Sequence, residues 1–288
     1  MRVHHLNCGS MCPFGGALMY GVSRGPAAKL VCHCLLIETD HHGLVMVDTG
    51  FGTRDAARPR PRLSPFFMAL LRMRLDPEET ALRQVERLGF QARDVRHILL
   101  THLDFDHAGG IEDFPNATIH VYADELDAAL NRRSLLDRNR YRPLQWDQPL
   151  RWRRYETDRG AGEDWFGFRC VRDLDGLPPE ILMVPLTGHT VGHCGIAIDI
   201  GGEGWMLHAG DAYFFREEMS DRRHYCTPGL AGYQRLMEVD RRARLENQAR
   251  LRALARTHAD QLRLFCAHDP VEYERQRAAE QQAGYAAA

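Results

Sequence analysis

Residues 101–110 read Thr-His-Leu-Asp-Phe-Asp-His-Ala-Gly-Gly and place His102, Asp104, Asp106 and His107 within six positions. They follow an apolar run, His97-Ile98-Leu99-Leu100, that reads as a buried strand. The four side chains therefore sit on the loop that leaves a strand's carboxyl end, where α/β proteins commonly place their chemistry. Imidazole and carboxylate together suit zinc, manganese or iron(II) better than calcium or magnesium. A merely solvated loop needs neither this density of ligand-type side chains nor Gly109-Gly110, which lets backbone crowd a site.

Outward from this loop, the chain reads as alternating strands and helices. Val3–Leu6 is a first strand, followed by a loop through Gly9, Pro13, Gly15 and Gly16. Leu30–Thr39 and Leu44–Asp48 are apolar runs joined by Asp40-His41-His42-Gly43, a hairpin turn with exposed histidines. The Pro- and Arg-rich stretch 53–77 breaks the pattern and contains a short apolar helix, Phe66–Leu71, which reads as an edge helix packed on the core. Glu78–Leu88 is amphipathic, with Leu82, Val85 and Leu88 on one stripe and Gly89 as its stop. Thr118–Tyr122 follows as a strand and Asp124–Leu130 as a helix.

Residues 131–165 show no clean period and hold nine arginines with Tyr141, Trp146 and Trp152 among them. Interleaved arginines and aromatics can grip nucleic acid. Six interspersed acids favour instead an irregular, solvated insertion with partly buried aromatics. Ile181–Leu186, Gly195–Ile200 and Gly204–His208 are short apolar strands. Residues 232–258 are mostly helical, with Leu236, Val239, Ala243, Leu251 and Leu254 as the apolar face, and Leu262–Ala267 is a last strand. Strands thus fall in two sets, each with helices, and no linker-like break separates them: a single α/β domain over 1–288.

Composition narrows the function. Thirty-seven basic against 39 acidic residues leave a net charge of −2, so no global field draws the chain to nucleic acid or to a membrane. No stretch is apolar enough to span a bilayer and the first residues do not read as a secretory signal, so a cytoplasmic protein acting on a small molecule is expected; its oligomeric state is not legible. Eight cysteines without a C-x-x-C pair read as free thiols, with Cys8 or Cys12 able to line a pocket beside the N-terminal loop.

The 101–110 loop resembles the metallo-β-lactamase superfamily signature T-H-x-H-x-D-H-x-G-G, with Asp104 in place of the second histidine. Further motifs carry the resemblance in the same order: Asp48-Thr49-Gly50 after a strand, Gly188-His189-Thr190-Val191-Gly192-His193, Gly210-Asp211, and His268 near the C-terminus. The resemblance implies a four-layer αββα sandwich and two divalent metal ions, with zinc expected and manganese or iron as alternatives. By position, His102, Asp104 and His189 would hold the first ion and Asp106, His107 and His268 the second. Asp211 would bridge them, and Asp48 would orient a ligand. The chemistry implied is hydrolysis by a metal-activated hydroxide.

Asp104 is the departure. As a ligand it would lower the net charge of the site by one, weaken the first metal as a Lewis acid and shift preference toward manganese or iron. Alternatively it is too short to reach, and only the second site binds. Its replacement by histidine is expected to preserve or raise turnover with zinc. His193 and His208 read as structural neighbours of the ligands, although an altered first site could recruit His193.

Within the superfamily the resemblance is nearest to the N-acyl-homoserine lactone lactonases, in which a tyrosine three positions after the bridging aspartate helps to position the lactone carbonyl. Here that position is Phe214, a pocket wall, and its neighbour Tyr213 is the candidate donor. Asp106, Asp211 and Tyr213 are thus the candidate catalytic residues. The resemblance implies a hydrolase of a small ester, lactone or thioester, with the 53–77 insertion as a lid over the site. Two other readings stay open: an iron-dependent oxidoreductase, since the flavodiiron branch has a carboxylate at the position of Asp104, and a non-hydrolytic metal-binding sensor.

Overall fold

The computed structural model describes residues 1–157 and 162–286. Residues 158–161 of the 131–165 stretch, and residues 287–288, lie outside them. Strand β1 is Arg2–Met11, β2 Leu30–Glu38 and β3 Leu44–Val47, followed by helices α1 (Thr53–Ala57), α2 (Pro59–Arg62) and α3 (Pro65–Leu71) and strand β4 (Met73–Arg74). Then come α4 (Ala81–Arg87), β5 (Val95–Leu99), β6 (Thr118–Tyr122), α5 (Ala123–Asn131), α6 (Leu135–Arg140) and β7 (Arg151–Tyr155). A hairpin of β8 (Glu163–Trp165) and β9 (Phe168–Cys170) leads to β10 (Ile181–Pro185), β11 (Cys194–Asp199) and β12 (Trp205–His208). The last elements are α7 (Pro228–Met237), α8 (Arg241–Thr257), β13 (Leu262–Phe265) and α9 (Pro270–Ala286).

One sheet orders its strands β4-β1-β2-β3-β5-β6-β7 and the other β10-β11-β12-β13. Side-chain alternation explains why the two stack. On β2, Leu35 and Ile37 point to one side and Cys34 and Leu36 to the other; on β3, Val45 and Val47 oppose Leu44 and Met46. Leu35, Ile37, Val45 and Val47 meet Ile181, Met183, Ile196 and Ile198 of the second sheet in the central core. The opposite face of the first sheet is covered by Ala81 and Val85 of α4 and Leu126 and Ala129 of α5. Leu182, Val184 and Ala197 on the opposite face of the second sheet are covered by Leu251 and Leu254 of α8. Strands apolar on both faces require this helix–sheet–sheet–helix stack, the four-layer α/β sandwich.

Pairing direction decides where the loops emerge. β5 lies parallel to β3 and β6, so the loops after β3 and β5 leave at one edge. In the second sheet β13 is parallel to β12, while β10 and β11 form an antiparallel hairpin. The loops after β12 and β13 and the β10–β11 connection therefore share an edge as well. Backbone bonds join the two edges: Cys194 N–H donates to Thr101 O at 2.9 Å, and His33 N–H to Ala267 O at 2.9 Å.

Several local expectations are corrected. In α4, Leu88 is exposed and the buried stripe is Ala81–Val85, one position round the helix. On α7 and after it, Leu236 and Val239 are exposed, and much of the buried face is polar: Gln234, Arg244, Asn247 and Gln248. Counting apolar positions alone missed it, because Gln234, Arg244 and Gln248 pair with one another and with Glu218, while Asn247 donates to Thr187 O. The 131–165 stretch is less irregular than its sequence suggests, since it contains α6, edge strand β7 and β8. Its arginines are largely spent on ion pairs and carbonyls: Arg153 with Asp175, Arg154 with Asp127, and Arg142 with Pro61 O and Arg62 O. No helix among the described residues is long and apolar enough to cross a membrane.

Helix α9 closes over β1 through His4, which is buried with Glu280 Oε1 2.7 Å from Nδ1 and Glu38 Oε1 2.7 Å from Nε2. Burial alone would lower the His4 pKa, but Glu280 and Glu38 outweigh it and raise it; the Glu280 carboxyl is correspondingly held low. A raised histidine contributes stability below its unfolded pKa of about 6.5, lost as pH rises through the folded value; a lowered glutamate contributes only above about 4.3. His4→Gln should therefore lower the melting temperature by a few degrees at pH 5.5 and by clearly less at pH 8.5. Equal losses at both values would show that the imidazolium is not what holds α9.

Candidate metal centre

The loop after β3 builds the floor of the site. Asp48 adopts φ +54°, which turns its carboxylate back across the strand ends. Its Oδ1 accepts from Thr101 N–H at 2.8 Å, and its Oδ2 accepts from Thr101 Oγ1 at 2.7 Å and His107 Nδ1 at 2.8 Å. Burial alone would raise this carboxyl, but His107 overrides it and holds it below the usual range. With Nδ1 engaged, His107 presents Nε2 to the centre. Gly50 follows at φ +62°, where a Cβ would overlap the Cys8 carbonyl, so this turn admits only glycine.

His268 and His102 are oriented in the same way. His268 Nδ1 donates to Val31 O at 2.7 Å and His102 Nδ1 pairs with Thr101 Oγ1 at 3.0 Å, which turns each Nε2 toward the Asp211 carboxylate; His189 Nδ1 has no such partner among the described residues. His193 is different: Nδ1 donates to Leu186 O at 2.9 Å and Nε2 accepts from Asp211 N–H at 2.8 Å. Both its nitrogens are committed, and its role is to hold the backbone of Asp211. His208 is likewise committed, to His33 O and Gly210 N–H.

Asp211 lies between two groups of side chains. Its Oδ2 is 3.3 Å from His189 Nε2 and 3.7 Å from His102 Nε2; its Oδ1 is 3.4 Å from His107 Nε2 and 3.1 Å from His268 Nε2, which also lies 3.3 Å from Oδ2. Asp104 Oδ2 completes the first group, 3.1 Å from His189 Nε2 and 3.4 Å from His102 Nε2. Asp106 Oδ2 joins the second, 3.7 Å from His268 Nε2. Ligands about 2.0–2.1 Å from a tetrahedral ion stand roughly 3.3 Å apart, and the first group has a suitable span. The buried atoms His102 Nε2, His107 Nε2 and Asp211 Oδ1 have no hydrogen-bond partner among the described residues. Orphaned buried polar atoms converging from several elements fit a bound cation better than a packed core. All seven sequence-derived ligand positions are thus brought together. Cys32 adds a thiol, within 4.8 Å of the nearest ligand-type atoms of Asp106 and His268. The thiol at the site is therefore Cys32; Cys8 lies in the outer core, and all eight cysteines are free.

The electrostatics is that of a crowded anionic centre. Burial would raise the Asp211 carboxyl, but His268, His107 and His189 outweigh it and hold it well below the usual range. Burial raises Asp106, and Asp211 and Asp104 act in the same sense. Desolvation together with neighbouring His107 depresses His102 to about 4, leaving its ring neutral and able to ligate.

Two sequence expectations are corrected here. Tyr213 does not face the centre: its hydroxyl donates to Glu272 at 3.1 Å, and its ring is buried beneath the second sheet. Phe214 faces it instead, stacked on His268 with ring centroids 5.1 Å apart. The chain after Asp211 turns and bends rather than running as a strand, and the turn carries Phe214 rather than Tyr213 to the centre. The second concerns Asp104. Arg140, fully buried on α6, grips both its oxygens, Nε to Oδ1 at 2.6 Å and Nη2 to Oδ2 at 2.7 Å. The carboxylate is therefore not an uncompensated extra charge, and Asp104→His would strand a buried guanidinium rather than simply restore a ligand.

Three residues escaped the sequence reading. Arg140 sits in the stretch taken as solvated. Glu125 of α5 is buried and accepts from Leu103 N–H at 2.9 Å, Thr190 Oγ1 at 2.6 Å and Gly192 N–H at 3.2 Å, tying the two ligand loops together. Tyr233 of α7 meets Phe214 edge-on at 5.8 Å. Burial raises its phenol, and the carboxylates of Asp106, Asp104 and Asp211 add to the rise. A lone extra carboxylate in a buried site was the one available signal, because it demands a cation nearby.

Comparison with known proteins agrees with this arrangement. Residues 28–268 match the metallo-beta-lactamase superfamily. A probable metallo-hydrolase of Mycobacterium tuberculosis is 43% identical over 274 residues, covering 95% of this chain and 82% of that protein. An N-acyl homoserine lactonase of Bacillus thuringiensis is 27% identical over 224 residues, covering 75% and 78%. Among solved structures, B. thuringiensis AiiA with N-decanoyl-L-homoserine bound superposes with a TM-score of 0.70 at 21% identity over 95% of each chain. AidC, a dizinc quorum-quenching lactonase, superposes at 0.59 and 18% identity, over 93% of this chain and 87% of its own. The loop order, the four layers and the match over 28–268 lead to one conclusion: this chain belongs to the metallo-β-lactamase superfamily.

Proposed function

We propose that this protein is a metal-dependent hydrolase of a small carboxylic ester, lactone or thioester. The observation that carries the reading is Asp211, whose carboxylate lies within reach of buried Nε2 atoms from both groups, His189 and His102 on one side and His107 and His268 on the other. His102, Asp104 and His189 would hold one divalent ion and Asp106, His107 and His268 the other, with zinc the first candidate. Ions held there supply Lewis acidity and bring a water's pKa toward neutrality. The chain's own residues then do the positioning. Asp48, Val31 O and Thr101 fix the ring orientations, and His193 fixes the Asp211 backbone.

Phe214 has no donor to offer a substrate carbonyl, and Tyr213 is spent on Glu272. Tyr233, beside Phe214, is the phenol we assign to that task. The segment 53–77 supports a role as pocket wall or lid, since Leu63, Phe67 and Leu71 share a core with Phe105 of the ligand loop and with Phe214. Lactonases among the relatives favour a cyclic ester, while the relative at 43% identity carries only the name of a probable metallo-hydrolase.

The test is metal analysis of purified protein together with turnover of an acyl homoserine lactone, an aryl ester and an acyl thioester. Bound divalent metal, and hydrolysis of at least one class that chelation abolishes and zinc restores, are expected. Metal-replete protein inert toward all three, or iron-loaded protein that consumes oxygen, would overturn the reading.

A further inference from the structure

We infer that Asp104 and Arg140 act as one unit, an ion pair standing in for a neutral histidine in the first ligand group, with Arg140 as a positioning residue. The inference rests on the reading of the centre as metal-binding but not on any substrate.

Geometry and charge both lead there. The guanidinium meets the carboxylate fork to fork, at 2.6 and 2.7 Å, which fixes the plane and rotation of Asp104. Oδ2, although it accepts from Nη2, still lies 3.1 Å from His189 Nε2 and 3.4 Å from His102 Nε2, so a lone pair remains for the centre. Arg140 is itself clamped: Nη1 donates to Met237 O at 2.9 Å and to His189 O at 3.3 Å; Nη2 also lies 2.9 Å from His189 Nε2, a contact that ligation through that nitrogen would replace. One buried side chain thus sets the orientation of Asp104, the carbonyl of the His189 loop and the end of α7.

A carboxylate of charge −1 and an obligate guanidinium of charge +1 sum to the charge of a neutral imidazole. The pair therefore leaves the first group with the net charge of the three-histidine version. The expected weakening of the Lewis acid, and with it the shift toward manganese or iron, is cancelled. A lysine could supply the charge but not the fork, so the unit specifically requires arginine.

A double-variant cycle tests this, read by zinc affinity in competition with a chromogenic chelator and by melting temperature. Asp104→His leaves a buried guanidinium unpaired, and Arg140→Met leaves the carboxylate unpaired and free to turn. Each alone should lose zinc affinity by about ten- to a hundredfold and melt lower. Asp104→His combined with Arg140→Met should recover affinity to within about threefold of the parent, whereas Arg140→Lys should not. Additive losses in the double variant, or a single Asp104→His that keeps parental affinity and melting, would overturn the unit. If a single variant does not fold, the double variant decides: folded and zinc-binding supports the pair, unfolded overturns it.

Discussion

Asp211→Ala should cut turnover by about a thousandfold or more and remove most of the bound metal, while the chain still folds. The magnitude follows from position. Loss of an outer partner of a metal ligand typically costs ~10–100-fold, and Asp211 is no outer partner, since its two oxygens face both ligand groups. The fold should survive, because what anchors this loop is backbone. Asp211 N–H donates to His193 Nε2, Ala209 N–H to Phe265 O and Ala267 N–H to Gly210 O, and alanine keeps all three. The histidines lose the charge that supports their protonated forms: His107, held well above its ordinary value against burial by Asp211 and Asp48, should titrate lower. The sharpest readout is the rise in melting temperature when zinc is added, since a ligand stabilises only the state that binds it. The parent should show a large rise and the variant little. A variant that keeps its metal and more than a tenth of parental turnover would sink the bridging assignment of Asp211.

What could be read in advance depends on the length scale of the interaction. The clustering of the candidate ligands was legible because each belongs to a short motif after an apolar strand, and parallel or hairpin pairing then gathers those loops at one edge. The two strand sets were legible for the same local reason, since residues such as Leu44–Val47 are apolar on both faces. Arg140 was not. It is one of nine arginines in residues 131–165, on a six-residue helix, and its partner lies 36 positions earlier. Nothing local separates a buried guanidinium from its solvated neighbours. Tyr213 failed for a smaller reason: which of two adjacent aromatics faces the centre depends on the backbone after Asp211, which the motif does not specify. The buried face of α7 and α8 failed because its polar members, Gln234, Arg244 and Gln248, are paired only in three dimensions.

Glu125 follows the same logic and gives the second large effect, this time on stability. It stands near the start of α5, where an acidic residue ordinarily reads as a solvated partner of the helix dipole. Instead it is fully buried and receives three bonds from the two ligand loops, at Leu103, Thr190 and Gly192. Gly192 also presses on the Glu125 backbone so closely that a Cβ there would overlap it. Glu125→Ala leaves two backbone N–H groups and a hydroxyl without their acceptor. Each unsatisfied buried group costs about 1–3 kcal/mol, so a loss of roughly 3–5 kcal/mol is expected after partial relaxation. Glu125→Gln should cost less, because its amide oxygen still accepts one bond and the Thr190 hydroxyl can reverse to accept from the amide nitrogen. Gly192 N–H has no such freedom. The order of stability in urea should therefore be parent, Gln, Ala, with metal affinity falling in the same order as His102 and His189 lose their fixed separation. If Glu125→Ala unfolds at the parental urea concentration and binds zinc as tightly, the carboxylate does not couple the two loops. The centre would then owe its spacing to the sheet edges alone.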